Sequence, residues 1–242
     1  MKDGIAVVTG ATGGIGRAVA LLIHERSRAR LRLALHCRGN RIAAEELSRR
    51  IPGSFVVSGD LADSEGRQAL LDTVVEQGAP TVLVNSAGVD KPYEPGLLIR
   101  EESFDRIMAV NLKAPLFLMK LFGKAMTGSG GGSIVNVTSV LARQALTGAA
   151  AYRASKAALE ALTKQFAYEL GRSGVRVNAV APGFVETPLT ADVSEKIRAD
   201  IRSRTALGRF ATPEAVAEAV WQFIENESIN GAVLPIDGGM NL

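Results

Sequence analysis

Short runs of β-branched and aliphatic residues alternate with longer amphipathic stretches along the whole sequence. This alternation restricts the fold more than any other feature. The strand-like runs are Ile5–Thr9, Leu31–His36, Ser54–Ser58, Thr81–Asn85, Ser133–Thr138, Val175–Val180 and Ala232–Ile236. Several are apolar at nearly every position, as strands covered on both faces must be. Helical periodicity fills the gaps at Ile15–Glu25, Arg41–Arg50, Ser64–Gln77, Glu101–Phe122, Ala149–Arg172 and Pro213–Glu225. Strand then helix, repeated, predicts an α/β fold: a doubly wound parallel sheet of about seven strands with helices on both faces. The 242 residues suit one such domain over 1–242, a size that folds without the help of a metal or disulfide. Gly128–Gly132 reads as a flexible turn rather than a linker between domains. Glu186–Arg209 has no strand pattern and holds one short helical piece, Val193–Arg204. Within it, 187–209 is the expected substrate lid, a common use of long irregular segments.

A single cysteine, Cys37, excludes an internal disulfide and fits a reducing compartment. No apolar run approaches the ~18–20 residues of a membrane helix, and no signal peptide is apparent after Met1. A cytoplasmic location without a membrane partner is therefore expected. The net charge is +3. The basic run Arg26, Arg28, Arg30 and Arg32 lacks the interleaved aromatics of a single-strand binder and reads as solvated surface, so no nucleic-acid partner is expected. His24 and His36 have no companion ligands at metal spacing, and no metal site is expected.

The first strand runs into Thr9-Gly10-Ala11-Thr12-Gly13-Gly14-Ile15-Gly16 and then a helix. Glycines let the backbone approach a ligand, and a helix N-terminus offers free N–H groups and positive potential to a diphosphate. Glycines also serve ordinary tight turns. Their place after the first strand favours a dinucleotide site, with Gly10, Thr12, Gly13, Gly14, Ile15 and Gly16 as its candidate contacts.

The Gly-x-x-x-Gly-x-Gly spacing of Gly10, Gly14 and Gly16 resembles the short-chain dehydrogenase/reductase family, a Rossmann-type fold, and the resemblance runs from Ile5 to Gly239. The 3-oxoacyl-[acyl-carrier-protein] reductases are the most similar subgroup. Three further stretches carry the resemblance. Asp60-Leu61 matches an adenine contact, and Asn85-Ser86-Ala87-Gly88 is similar to the family's Asn-Asn-Ala-Gly, with Ser86 in place of the second Asn. Pro182-Gly183, with Val185 and Thr187, matches a turn against the nicotinamide, Thr187 lying near its carboxamide. The second strand ends His36-Cys37-Arg38, with no acid to bind ribose hydroxyls and repel a 2′-phosphate. In the family pattern the NAD-selecting acid would fall at Cys37. Arg38 has a planar fork suited to phosphate, although it could be a plain loop arginine. Many NADP-using relatives carry a basic residue where this chain has Gly13. NADP(H) is the expected cofactor.

Tyr152 and Lys156 are four apart, which places them on one helix face. A free phenol has pKa near ~10, and a neighbouring ammonium should lower it toward working range. Such pairs also occur by chance. Ser139, at the end of the fifth strand, is where an α/β sheet binds ligands, and its hydroxyl could hold a carbonyl oxygen. Ser139, Tyr152 and Lys156 together match the family's catalytic pattern. Asn111 matches its helix asparagine, which the resemblance assigns to a water beside the lysine. The implied role of Lys156 includes binding the nicotinamide ribose.

Three functions follow. The first is reduction of a 3-oxoacyl thioester on acyl-carrier protein or coenzyme A. The second is reduction or oxidation of another carbonyl or alcohol, such as a sugar, polyol or polyketide intermediate. The third is non-catalytic nucleotide binding, against which the complete Asn111, Ser139, Tyr152 and Lys156 set argues. An acidic carrier needs basic residues beside the cleft. The place just before the fifth strand is Ser129–Gly132, which leaves Arg172 and Arg176. Asp90–Leu98 and Thr187–Thr205 are expected to shape the pocket wall. The resemblance also implies a homotetramer built through Glu101–Phe122, Ala149–Arg172 and the last strand.

Overall fold

The structure, a computed structural model, describes residues 3–90 and 92–240. Seven strands form one sheet: β1 (Gly4–Val8), β2 (Leu31–Cys37), β3 (Phe55–Ser58), β4 (Pro80–Asn85), β5 (Gly132–Val137), β6 (Val175–Pro182) and β7 (Val233–Ile236). Their order is β3-β2-β1-β4-β5-β6-β7, and every pairing is parallel. The order reverses between β1 and β4, so the crevice where such sheets take ligands lies outside the carboxyl ends of those two strands.

The near-continuous apolar character of the strands has a simple origin. Ala6, Val8, Val82, Val84, Val135 and Val137 point to one face, under helices α1 (Gly14–Ser27) and α8 (Pro213–Glu225). Ile5, Val7, Leu83, Ile134 and Val177 point to the other, under α3 (Ser64–Gln77), α5 (Ala114–Gly128) and α6 (Ala150–Gly171). Successive side chains alternate between two dry layers. Phe122, Met119 and Met126 on α5 and Trp221 and Phe223 on α8 supply the bulk of the helix side.

Two elements depart from the periodicity. The helix expected over Glu101–Phe122 is interrupted: α4 (Glu101–Met108) passes through a π turn, Ala109–Lys113, before α5 continues to Gly128. The extra residue in that turn rotates Asn111 inward, where it is fully buried. The 187–209 segment contains a short 3₁₀ turn, Pro188–Thr190, and helix α7 (Glu195–Ser203); α2 (Arg41–Arg49) completes the helices. Arg28 and Ala29 end α1 in the left-handed region, with φ of 50° and 64°, and turn the longer connection into β2. The basic run nearby is tied down: Arg26 pairs with Glu218, Arg30 with Asp3, and Arg32 with Gln77 and the Gly53 carbonyl. Among the described residues no helix is long and apolar enough to cross a membrane.

Candidate active site

The glycine turn is built against the neighbouring strand end. Gly10 has φ +64°, and a Cβ there would stand 2.9 Å from the Ala87 Cα. Only glycine fits both the backbone angle and the approach. Thr9 locks the two strand ends together, its hydroxyl accepting from the Ser86 and Ala87 N–H groups at 3.0 and 3.1 Å. Helix α1 then starts at Gly13–Gly14 with no side chain capping it. Its first N–H groups, from Gly14, Ile15 and Gly16, have no side-chain competitor for an anion, which suits a dinucleotide diphosphate. Thr187, beyond β6, comes to the same place: a Cβ at Gly14 would lie 2.6 Å from Thr187 Cγ2. Pro182 ends β6, the Gly183 N–H donates to the Ile236 carbonyl, and Val185 bridges to Ala211.

At the end of β2, Cys37 is buried beside the Ser58 hydroxyl, while Arg38, just beyond it, is exposed. Past β3, Asp60 accepts from the Ala62 N–H and pairs with Arg106 at 3.0 Å, and Leu61 is buried. Burial pushes the Asp60 carboxyl up, but Ala62, Arg106 and the more distant Arg38 outweigh it and hold the carboxyl below its usual range.

The polar residues expected to carry chemistry converge at the carboxyl ends of β4 and β5. Ser139 is buried after β5 and accepts from the Leu141 N–H. Its hydroxyl acts on the phenol of Tyr152, in the first turn of α6. One turn on, Lys156 is buried with its Nζ donating to the Val137 carbonyl at 2.9 Å, 5.7 Å from the Tyr152 ring centroid. Gly88 faces this group: a Cβ there would stand 3.4 Å from Asn111 Oδ1 and 3.7 Å from Lys156 Nζ. Asn85 is placed differently. Its Nδ2 donates to Asn136 Oδ1 inside the sheet, so its side chain tethers β4 to β5 rather than facing the cleft.

The sequence profile of a family described as enoyl-(acyl carrier protein) reductase matches residues 10–241. The chain is 36% identical to a 3-oxoacyl-[acyl-carrier-protein] reductase of Thermotoga maritima, covering 99% of this chain and 98% of that one. This chain belongs to the short-chain dehydrogenase/reductase family. It is likewise 36% identical to the cis-4-hydroxycyclohexanecarboxylate dehydrogenase of Sinomonas cyclohexanicum, covering 97% of this chain and 95% of that one. A solved structure described as ribose-5-phosphate isomerase from Brucella melitensis 16M superposes with a TM-score of 0.90 at 32% identity, covering 99% and 93% of the two chains. As a short-chain dehydrogenase/reductase, the protein is an oxidoreductase acting between CH–OH and C=O with a nicotinamide cofactor, and the open glycine turn and uncapped α1 suit that group.

Within this short-chain dehydrogenase/reductase, two expectations about individual side chains need correction. The Tyr152 pKa is raised, not lowered. Burial dominates and pushes the phenol up to about 12, despite the Ser139 hydrogen bond, and Asp90 adds to the rise. Burial likewise holds Lys156 down to about 8, with Asp90 opposing. Tyr152 is thus a firmly protonated donor at neutral pH. Arg176 is not a free docking charge either: its guanidinium donates to the Phe223, Ile224 and Ile229 carbonyls and closes the end of α8. Arg172 remains exposed.

Asn111 holds the β4 exit through its side chain. Oδ1 accepts from the Val89 N–H at 2.9 Å, and Nδ2 donates to the Val89 carbonyl at 2.7 Å and to Ser155 Oγ at 3.3 Å. Ser155 in turn donates to the Tyr152 carbonyl. The next residue, Asp90, is buried and accepts from Tyr93. Sequence reasoning missed Ser155, and placed Asp90 and Tyr93 in the pocket wall without a role for either side chain. Ser155 lay in view inside Tyr-x-x-Ser-Lys, whereas the irregular loop of Asp90 and Tyr93 carries no periodic signal. Asn111→Leu should leave both Val89 backbone groups without partners and lower the unfolding free energy in urea by about 2–4 kcal/mol. A loss below about 1 kcal/mol would remove Asn111 from this role.

Proposed function

We propose that this protein reduces a 3-oxoacyl thioester to the 3-hydroxyacyl thioester with NADPH. The observation that carries the chemistry is the Ser139–Tyr152–Lys156 cluster, with Tyr152 protonated beside a serine hydroxyl. A nicotinamide held there would supply a hydride for the carbonyl carbon. Ser139 orients the carbonyl oxygen, Tyr152 Oη gives it a proton, and Lys156 keeps cationic charge beside the phenol and would hold the nicotinamide ribose. Arg38 is the group for a 2′-phosphate. Gly10–Gly16, Asp60–Leu61, Ala87–Gly88 and Pro182–Thr187 would cradle the rest.

The substrate class is supported by relatives named for 3-oxoacyl and (3R)-3-hydroxyacyl thioesters at 33–36% identity. Exposed apolar residues also fit an acyl chain: the segments leaving β4, β5 and β6 carry Leu97 and Leu98, Leu146, and Leu189, Ile197 and Leu207. One observation favours a second reading. The Asp90–Tyr93 pair sets a carboxylate beside Tyr152 and Lys156, an environment that suits a hydroxyl-bearing cyclic alcohol or ketone.

The test is cofactor oxidation with acetoacetyl-coenzyme A, run in parallel with NADPH and NADH, beside a panel of cyclic ketones and sugars. NADPH-dependent turnover of the thioester above the panel is expected. Turnover of a cyclic ketone or sugar with none of the thioester would replace the first reading by the second.

A further inference from the structure

His36 lies near the end of β2, buried to 3% exposure, and has no role in the chemistry above. Both of its ring nitrogens have partners on other strand ends. The Gly10 N–H donates to Nδ1 at 3.4 Å, and Nε2 lies 3.0 Å from the Gly59 carbonyl. An amide can only donate and a carbonyl can only accept, so the pair of partners fixes a neutral ring with the proton on Nε2. The His36 backbone carbonyl also accepts from the Ala11 N–H at 2.9 Å. One residue therefore anchors two successive amides of the glycine turn and, through its far nitrogen, the residue before Asp60.

We propose that His36 is a positioning residue for the dinucleotide, holding the phosphate turn and the Gly59–Asp60 turn at a fixed separation. The proposal rests on nicotinamide binding at the glycine turn. Anchoring Gly10 and Ala11 inward leaves the amides at the start of α1 to face the ligand. Anchoring Gly59 sets where Asp60 leaves β3. Burial keeps the imidazole below its ordinary pKa against the raising effects of the Gly59 carbonyl and Asp60, which preserves the bare Nδ1 that the Gly10 amide needs. A protonated ring would turn an N–H toward the Gly10 N–H and lose that anchor. The neighbouring Cys37 and Ser58 are occupied with each other, so no adjacent side chain replaces it.

The test compares the full-length protein with His36→Leu and His36→Asn, measuring Kd for NADPH and NADH by fluorescence together with kcat and cofactor KM. His36→Leu removes both side-chain anchors and should raise Kd and cofactor KM about tenfold, with a much smaller change in kcat. His36→Asn puts an oxygen near the Nδ1 position and should recover most of that loss. Nitrogen NMR of the unaltered protein supplies an independent readout, since the chain has only two histidines. It should show one ring protonated at Nε2 and bare at Nδ1, shifting on addition of NADPH. An Nδ1-protonated His36 ring, a Leu variant that binds as tightly as wild type, or an Asn variant no better than Leu overturns the proposal. Wild-type protein that binds neither dinucleotide overturns the cofactor reading and this proposal with it.

Discussion

Tyr152→Phe should bind NADPH as the wild type does and turn over about a thousandfold more slowly, within the range that general acid–base groups contribute. The substitution removes one oxygen and keeps the ring, so the 5.7 Å approach of Lys156 to its face survives. What goes is a hydroxyl beside Ser139, on the ring that Lys156 approaches. The raised pKa of about 12 matters for direction: at neutral pH the phenol has a proton to give, and reduction needs a donor at the nascent alkoxide. Single-turnover kinetics with saturating NADPH, alongside cofactor binding by fluorescence, separates loss of chemistry from loss of binding. A rate within about tenfold of wild type would take the proton-donor role away from Tyr152.

The layered sheet was readable because both its faces are covered. Residues such as Val7 and Val8 enter opposite dry layers, and the strand reads as continuously apolar. Tyr152 and Lys156 were readable because helical spacing fixes their common face. The π turn at Asn111 was not, because one added residue hardly alters a hydrophobic period read over a long window. The direction of the Tyr152 shift was hidden for another reason. Its sign depends on how much protein closes around the phenol, and on the charge of Asp90, a residue remote in sequence. His36 looked like a polar residue in a strand. Its partners appear only when β2 and β3 pair, with His36 opposite Val57, and when the first turn folds back over both.

Arg38→Asp should reverse cofactor preference, lowering the ratio of kcat/KM for NADPH over NADH by a factor on the order of a thousand. Two physical effects act in the same direction. The exposed guanidinium that would fork onto a 2′-phosphate is lost, and a carboxylate is introduced that accepts from ribose hydroxyls and repels the phosphate. The next cation along the chain, Arg41, is paired with Glu45. Cys37, at the place of a selecting acid, is buried against Ser58, and position 13 in the glycine turn, basic in many NADP-using relatives, is glycine here. On the proposed NADPH preference the charge discrimination would fall to Arg38, and a single substitution should move it further than in a chain with two such cations. Asp60 stays engaged by Arg106 and the Ala62 N–H in the variant and loses only the more distant attraction of Arg38. The neutral variant Arg38→Gln separates the two effects: it should lose NADPH affinity without gaining NADH affinity. An unchanged ratio in the Asp variant would show Arg38 to be a plain loop arginine and leave the 2′-phosphate without a partner in this sequence.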